Sequence, residues 1–259
     1  MNMKNLGDRM KMYESVSKNS LVRRMPVIIR LDGCHFHTFT RGFDKPFDEV
    51  LTKTMKETML YLCQNIQGCV LGYTQSDEIT LVLCDYKTLN TNAWFDNEVQ
   101  KMCSVSASMA SMIFNEKFEQ NSFSYMFESN KNYERYDKVC DAHFKASDKG
   151  AYFDARVFNI PKEEVTNCIL WRQNDATRNS IQALGQSKFS HKQLQGKSCN
   201  EIQDMLFTEH QINWNDLQTS LKRGCCCVRD DNDKWIIDDE IPIFTGDGRD
   251  YIEKLINFE

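Results

Sequence analysis

The sequence predicts an α+β protein with a ferredoxin-like core, a βαββαβ antiparallel sheet with both helices on one face, followed by a C-terminal helical and hairpin extension. Three observations carry this prediction: short β-branched apolar runs, longer segments with apolar residues at helical spacing, and the order strand, helix, strand, strand, helix, strand. We expect residues 1–160 to form the core and residues 161–259 the extension. Because no low-complexity linker separates them, a single domain is the alternative.

The first part of the chain supplies the core. The run PVIIRLD (26–32) is the first strand, and residues 47–66 form the first helix, since their apolar residues recur near every 3.6 positions. The runs CVLGYT and EITLVLCD are separated only by residues 75–77, so they should pair as a hairpin. The second helix is expected from residue 92 to about 118, and AYFDARVFNIP (151–161) is the fourth strand.

The extension begins with a helical pattern from residue 162 to about 184. The basic stretch GQSKFSHKQLQGK follows, then the short helix EIQDMLFTEH. The runs GCCCVRD and KWIIDDEIPIF predict a late hairpin ahead of an acidic tail.

The composition is that of an ordinary globular protein, with 259 residues, 41% apolar, 27% charged and a formal net charge of −5. A nucleic-acid site on such a chain must be a local basic patch. The 11 cysteines include no C-x-x-C pair, so we expect reduced, structural thiols rather than a zinc site. With no apolar signal region and no run long enough to span a bilayer, we expect a cytoplasmic protein without a membrane partner.

Three acidic residues lie at strand ends that this topology brings together. Asp32 ends the first strand, while Asp77 and Glu78 lie in the hairpin of the second and third strands. Because the first and third strands are neighbours at the centre of the sheet in this topology, we expect the three carboxylates to converge. Converging carboxylates repel one another unless a cation neutralises them, and their hard oxygens suit magnesium. Gly33 would let a backbone carbonyl approach the metal closely.

Basic residues beside these acids are candidate phosphate contacts: Arg30, Lys45, Lys101 and Arg156. Each residue also has an ordinary structural alternative, such as a solvated turn acid, a solvated helix face or a simple ion pair. His35 and His37 are zinc-like in type but have no partners at suitable spacing. The spacing favours a metal-dependent phosphoryl or nucleotidyl transferase, with the structural alternatives left open.

Three segments, VIIRLDGCHFHTFTRGFDKPFDEVL, GYTQSDEITLV and WRQNDATRN, resemble the tRNA-His guanylyltransferase superfamily. The similarity runs from about Arg23 into the region of Cys225. It implies a polymerase-palm-like catalytic core. It also implies Asp32, Asp77 and the Gly33 carbonyl as ligands of two magnesium ions, with Glu78 as a catalytic carboxylate. The nucleotide-phosphate contacts that it implies are Arg30, Gly33, Lys45, Ser76, Lys101 and Arg156.

The resemblance further implies a reaction and its partners. ATP would activate a 5′-monophosphorylated RNA, and the 3′-hydroxyl of an incoming nucleoside triphosphate, GTP included, would then attack the activated end. The implied partners are the 5′ end and acceptor stem of tRNA, and the implied assembly is a homotetramer.

Departures from the guanylyltransferase pattern point to one branch of the superfamily. Where the eukaryotic-type enzymes carry HINN, this chain has Thr177, Arg178, Asn179 and Ser180, and Cys34 stands where arginine is common. This is similar to the Thg-like branch, which is associated with template-dependent repair of 5′-truncated tRNAs. Addition of G−1 to tRNA-His is the alternative. The predicted RNA contacts are Arg172, Asn179, Lys188, Lys192 and Lys197.

Two other classes of function are compatible with parts of this pattern. A nucleotide or diguanylate cyclase shares the palm and its acids, but no GGDEF-type loop is present. A non-catalytic RNA-binding module has no need for converging carboxylates beside a polyanion.

Overall fold

A computed structural model describes residues 5–127 and 133–258. The first part of the chain contains α1 (Leu6–Ser15), β1 (Val27–Gly33), α2 (Phe36–Phe39), α3 (Glu49–Asn65), β2 (Cys69–Gln75), β3 (Glu78–Leu83), α4 (Val99–Met126), α5 (Tyr133–Lys149) and β4 (Phe153–Asn159). The four predicted strands and two predicted helices are present in the predicted order. Helices α1, α2 and α5 were not predicted from the sequence.

The extension is also present. It contains α6 (Val165–Lys188), α7 (His191–Leu194), α8 (Cys199–His210), α9 (Thr219–Arg223), β5 (Cys225–Arg229), β6 (Trp235–Asp238) and α10 (Asp250–Ile256). The basic stretch is partly helical, since it ends α6 and contains α7. In the described residues, no helix is long and apolar enough to cross a membrane.

The strands form one antiparallel sheet in the order β4-β1-β3-β2-β5-β6. The first and third strands are central neighbours, which confirms the predicted fold class and places the ends of β1 and β3 together. The late hairpin extends the same sheet, because Tyr73 of β2 pairs with Cys226 of β5. Strands from both predicted segments therefore share one sheet, and the division at residue 160 stays a prediction.

The sheet is covered on both faces. Helices α3 and α4 cover the face that carries alternate apolar residues of the central strands; this core includes Leu31, Ile79, Leu81, Met59, Phe114 and Phe118. Helices α6 and α10 cover part of the opposite face, where the buried set includes Ile28, Val82, Cys226, Ile169 and Ile252. Helices α6 and α10 pack on the apolar residues of this second face. Its polar side chains lie beside these helices, at the end of β1 and the start of β3.

The first long helix begins at Glu49, two residues later than predicted. Asp48 is its N-cap, since Oδ1 accepts a hydrogen bond from the Leu51 N–H at 2.9 Å. Its Oδ2 accepts from the backbone N–H of Asp44 at 3.0 Å and from Nε2 of the buried His143 at 2.9 Å. Asp48 therefore joins α3 to α5, and both of its carboxylate oxygens accept hydrogen bonds within the fold.

Candidate functional site

The strand ends that carry the predicted catalytic acids meet at one corner of the sheet. Asp32 is the cross-strand partner of Glu78, and the Gly33 N–H donates a hydrogen bond to the Asp77 carbonyl oxygen at 3.0 Å. Partners directly opposite each other in an antiparallel pair have side chains on the same face. The structure thus brings Asp32, Asp77 and Glu78 together.

A fourth acid at this corner, Asp154, was not among the predicted site residues. It is the partner of Asp32 on the other side, in the β1–β4 pair, and is half exposed. The thiol of Cys34 lies 3.8 Å from its Oδ2, and burial, followed by this carboxylate, raises the pKa of the thiol. The alternation in FDARVF could have revealed Asp154, because it lies two residues from Arg156 and so shares its face.

The acids at this corner differ in how their charge is balanced. Within the described part of the chain, neither Asp32 nor Asp77 forms an ion pair. Burial raises the pKa of Asp77; a hydrogen bond from the Ser76 hydroxyl at 3.0 Å opposes the rise, and the charge of Asp32 adds to it. Two neighbouring carboxylates thus have no ion-pair partner among the described residues.

Glu78, in contrast, has a dedicated partner on α6. Its Oε1 lies 2.6 Å from Nε of Arg172, and both side chains are less than one tenth exposed. Burial raises the pKa of Glu78, and the charge of Arg172 opposes this rise. Arg172 also contacts Asp175 at 2.9 Å. Arg172 is a predicted RNA contact, but its side chain is buried against Glu78 and presents no exposed guanidinium to an RNA backbone.

Two predicted phosphate contacts lie beside the acids. Arg30 is the direct partner of Arg156 in the β1–β4 pair and lies two residues before Asp32, so all three side chains share one face. Arg156 is half exposed, with Nη2 3.7 Å from Oδ1 of Asp154.

A cavity of about 170 Å³ opens on the other side of the Asp77 turn. Ser76 and Asn179, both predicted site residues, line it together with Lys56 and with apolar side chains that include Leu51, Met55, Ala176 and Leu221. Lys45 directly precedes Pro46, another lining residue, and is exposed. A cavity that combines apolar side chains with several polar groups is a candidate binding place for part of a small molecule.

Lys101 lies away from these residues within the chain. Its helix begins beside Asn19, whose carbonyl accepts the Val99 N–H at 2.9 Å, near the Val27 end of β1. Asp32 is at the other end of that strand, about 17 Å away. Lys101 instead contacts Glu98 at 3.8 Å and the Phe95 ring, with its Nζ 5.9 Å from the ring centroid. Within its own chain, the structure does not bring Lys101 to the predicted catalytic acids Asp32, Asp77 and Glu78.

The three lysines predicted to bind RNA are exposed but remote. Lys188 ends α6, about 24 Å along the helix axis from Arg172. Lys192 is on α7, and Nζ of Lys197 lies 3.0 Å from Oε1 of Glu201.

A second basic surface was missed from the sequence. A groove of about 300 Å³ between the α2 loop and α5 is lined by Arg41, Lys138, Lys145 and Lys149. The three lysines lie seven and four residues apart, which places them on one side of the helix, and this spacing could have revealed them. Among the described residues, Arg41, Lys145 and Lys149 form no ion pair, and no acid lines the groove.

Comparisons with known proteins agree with this geometry. A family model described as tRNAHis guanylyltransferase matches residues 7–161. The chain belongs to the tRNAHis guanylyltransferase family. The predicted resemblance and the predicted enzyme class, nucleotidyltransferase, are thereby confirmed.

Members of the family align over most of the chain. A bacterial tRNA(His) guanylyltransferase (Thg1)-like protein in complex with ATP is 41% identical, with a TM-score of 0.85, over 98% of this chain and 100% of its own. A bacterial protein of the same description in complex with GTP is 39% identical, with a TM-score of 0.77, over 96% and 98%. A probable tRNA(His) guanylyltransferase of Drosophila melanogaster is 25% identical over 82% of this chain and 69% of its own.

The family implies a metal, and the corner of the sheet can be tested for it. Magnesium is typically held by one or two carboxylates plus substrate phosphates. Asp32 and Asp77 provide two hard oxygen ligands that are not engaged in an ion pair with any described residue, and Gly33 adds a backbone carbonyl. Within the described residues, no three His, Cys, Asp or Glu side chains form a complete metal cluster, so the remaining ligands would come from substrate and water. The residues fit magnesium.

Proposed function

We propose that this chain is a magnesium-dependent 3′-5′ nucleotidyltransferase that repairs 5′-truncated tRNAs by copying the opposite strand. The observation that carries this proposal is the pair Asp32 and Asp77, which forms no ion pair among the described residues and lies between the cavity beside Ser76 and the two arginines Arg30 and Arg156. A cation supplied with a polyphosphate would neutralise this pair. The sequence TRNS in place of HINN favours repair over obligatory G−1 addition.

Asp32, Asp77 and the Gly33 carbonyl would hold two magnesium ions. When bound, such a pair activates an attacking oxygen and stabilises the departing one. In the first step, a 5′-phosphate oxygen of the RNA attacks the α-phosphorus of ATP, and pyrophosphate leaves. In the second, the 3′-hydroxyl of a nucleoside triphosphate attacks the RNA 5′-phosphorus, and AMP leaves.

The chain contributes position and charge to both steps. Arg30 and Arg156 face the side where the phosphates would lie, and they would neutralise charge that develops on the phosphoryl oxygens. Arg172 fixes the Glu78 carboxylate, and Ser76 donates a hydrogen bond to Asp77. The cavity beside Ser76 and Asn179 would take the base of one nucleotide.

The experiment uses a 5′-monophosphorylated tRNA that lacks one 5′ nucleotide, with magnesium, ATP and all four nucleoside triphosphates. The base opposite the gap is varied. We expect the added nucleotide to follow that base. Addition of G alone, restricted to tRNA-His, would contradict repair and support G−1 addition, which the guanylyltransferase relatives also favour.

The groove formed by Arg41, Lys138, Lys145 and Lys149 is a suitable contact for the tRNA backbone. We expect the double substitution Lys145→Glu and Lys149→Glu to weaken tRNA binding. The slope of log K against log salt concentration should become shallower by the equivalent of about two phosphate contacts. The matched control is Lys11→Glu with Lys18→Glu, which makes the same change in net charge at exposed positions. Equal losses of affinity in both variants would show that the effect comes from the change in net charge and not from the groove.

A homotetramer and a cytoplasmic location also stay proposals. Light scattering of the purified protein would test the first, and a monomer at micromolar concentration would contradict it.

A further inference from the structure

Trp171 is an exposed aromatic residue whose position ordinary packing does not explain. It lies on α6, directly before Arg172, and 53% of its surface is exposed. The buried tryptophans Trp94 and Trp214 are each only 9% exposed. A large ring at the surface of a helix that crosses the catalytic corner calls for a reason beyond the core.

Two guanidinium groups hold this ring. The Cζ atom of Arg172 lies 4.4 Å from the ring centroid, and that of Arg30 lies 5.4 Å from it. Arg172 is in turn anchored on the buried Glu78 carboxylate. Cation–π contacts of this kind restrict the orientation of the ring while much of its surface stays open to solvent.

The charges beside the ring favour an anion. Arg30 lies directly opposite Arg156 on the neighbouring strand, and like charges in that position destabilise a sheet. The Nε atom of Arg30 is buried and, among the described residues, has no hydrogen-bond partner. A phosphate beside Arg30 and Arg156 would relieve this repulsion.

The ring and the cavity lie on opposite sides of the acids. The cavity beside Ser76 is bounded by α3, β2, α9, β5 and the part of α6 around Ala176 and Asn179, whereas Trp171, nearer the start of α6, and Arg30 adjoin the β1 and β4 side. A reaction between two nucleotides needs a binding place for each, with the metal-binding acids between them. The cavity supplies one place, and the surface formed by Trp171, Arg30 and Arg156 supplies a second.

We propose that Trp171 is a stacking platform for a nucleobase whose 5′-phosphate is bound by Arg30 and Arg156. This inference rests on the proposed function and extends it to the second nucleotide position. The same chemistry is present in a free nucleoside triphosphate and in the 5′-terminal nucleotide of the RNA. Base–aromatic stacking tolerates any base, which suits an enzyme that adds more than one kind of nucleotide.

The direct test is tryptophan fluorescence, since a stacked base quenches an indole. Wild type and Trp171→Phe are titrated with GTP and magnesium, with a 5′-monophosphorylated acceptor hairpin lacking one nucleotide, and with the same hairpin made abasic at its 5′ terminus. We expect quenching in the wild type that Trp171→Phe removes. Quenching by GTP identifies the free nucleotide as the source, and quenching by the intact but not the abasic hairpin identifies the RNA end.

A kinetic test separates stacking from structural support. We expect Trp171→Leu to raise KM for the stacked substrate about 5- to 150-fold, with a smaller change in kcat and no change in KM for the other substrate. Trp171→Phe should retain most of the affinity. The matched control is Phe207→Leu, on α8, where the ring is 57% exposed and far from the acids.

The outcomes for the two proposals are distinct. If Trp171→Leu adds nucleotides with unchanged KM values and Trp171→Phe retains the quenching, the platform is refuted while the proposed function stands. If quenching depends on Trp171 but no templated nucleotide is ever added, the platform stands and the proposed function fails.

Discussion

The carboxylates of Asp48, which is buried, and of Asp32 and Asp77, which are partly exposed, have two different roles. Asp48 accepts hydrogen bonds from two backbone N–H groups and from His143, and these bonds close the start of α3 and tie it to α5. Asp32 and Asp77 lie on neighbouring strand ends, and in the described structure neither forms an ion pair with a side chain. The fold satisfies the first carboxylate and leaves the other two unbalanced.

The two sites differ in their expected effects on stability and on catalysis. A satisfied carboxylate stabilises the folded state, and its loss leaves donors unpaired. An unbalanced pair destabilises the folded state slightly and is available to an external cation. Substitutions at the two places should therefore separate loss of activity from loss of stability.

The largest effect is expected at the unbalanced pair. Asp32→Asn or Asp77→Asn should lower the rate of nucleotide addition by about 10³-fold or more, because the metal would lose a ligand that acts on the transition state. The free energy of unfolding, measured by urea titration without magnesium, should stay equal or rise, because charge repulsion is relieved. Retained activity in both variants would remove the metal site from this corner.

Glu78 is a carboxylate of the catalytic corner that, like Asp48, has a partner within the fold, namely Arg172. Arg172→Met should lower the free energy of unfolding by about 3–5 kcal/mol, since Glu78 would stay buried without its partner. The double variant with Glu78→Gln should recover part of this stability without recovering activity. Additive losses in this double-mutant cycle would show that the two side chains are not coupled.

At Asp48 the effect on folding should be moderate. Asp48→Ala removes an N-cap and leaves the buried His143 Nε2 without an acceptor, so we expect the free energy of unfolding to fall by about 2–3 kcal/mol. A urea titration checks this loss, with Asp204→Ala, at an exposed position of α8, as a control that makes the same change in charge. An unchanged midpoint for Asp48→Ala would contradict the role assigned to this carboxylate.

The smallest effect concerns acid. Burial acts to raise the pKa of Asp48, but hydrogen bonds, chiefly from His143, outweigh it and hold this pKa below its ordinary value. The unfolded state therefore binds the proton more readily, so the stabilisation is present above about pH 4 and is lost as the pH falls through the folded pKa. Unfolding measured from pH 3 to 6 should show this loss in the wild type and a shallower one in Asp48→Asn. Parallel curves would contradict the assignment.

The strands and the acidic corner could be predicted because their signals are local. Each central strand is a short β-branched run, and the order of elements alone makes β1 and β3 neighbours. Helix α5 was missed although its buried residues Val139, Cys140, His143 and Ala146 recur at helical spacing. A cysteine and a histidine occupy positions where aliphatic residues mark a helix face, so the pattern is less obvious than that of α3.

The partners of site residues were harder to predict than the site itself. Arg172 reads as an exposed cation in WRQND, and only the packing of α6 shows that it is buried on Glu78. The β1–β4 register places Asp154 opposite Asp32. The path of α6 over the sheet places Trp171 beside Arg30. Such contacts join residues far apart in sequence, which spacing within one segment cannot reveal.

The pairing of β2 with β5 has a consequence for the order in which the protein is made. Tyr73 pairs with Cys226, and its hydroxyl donates to the Arg223 carbonyl at 2.7 Å, across 150 positions of chain. A ribosome synthesises β2 long before β5, so the edge of β2 that pairs with β5 stays unpaired while the intervening helices are synthesised. The cavity wall at Gly224 and Cys225 closes only afterwards. A nascent chain released early thus has all the catalytic acids and no finished place for a nucleotide beside them.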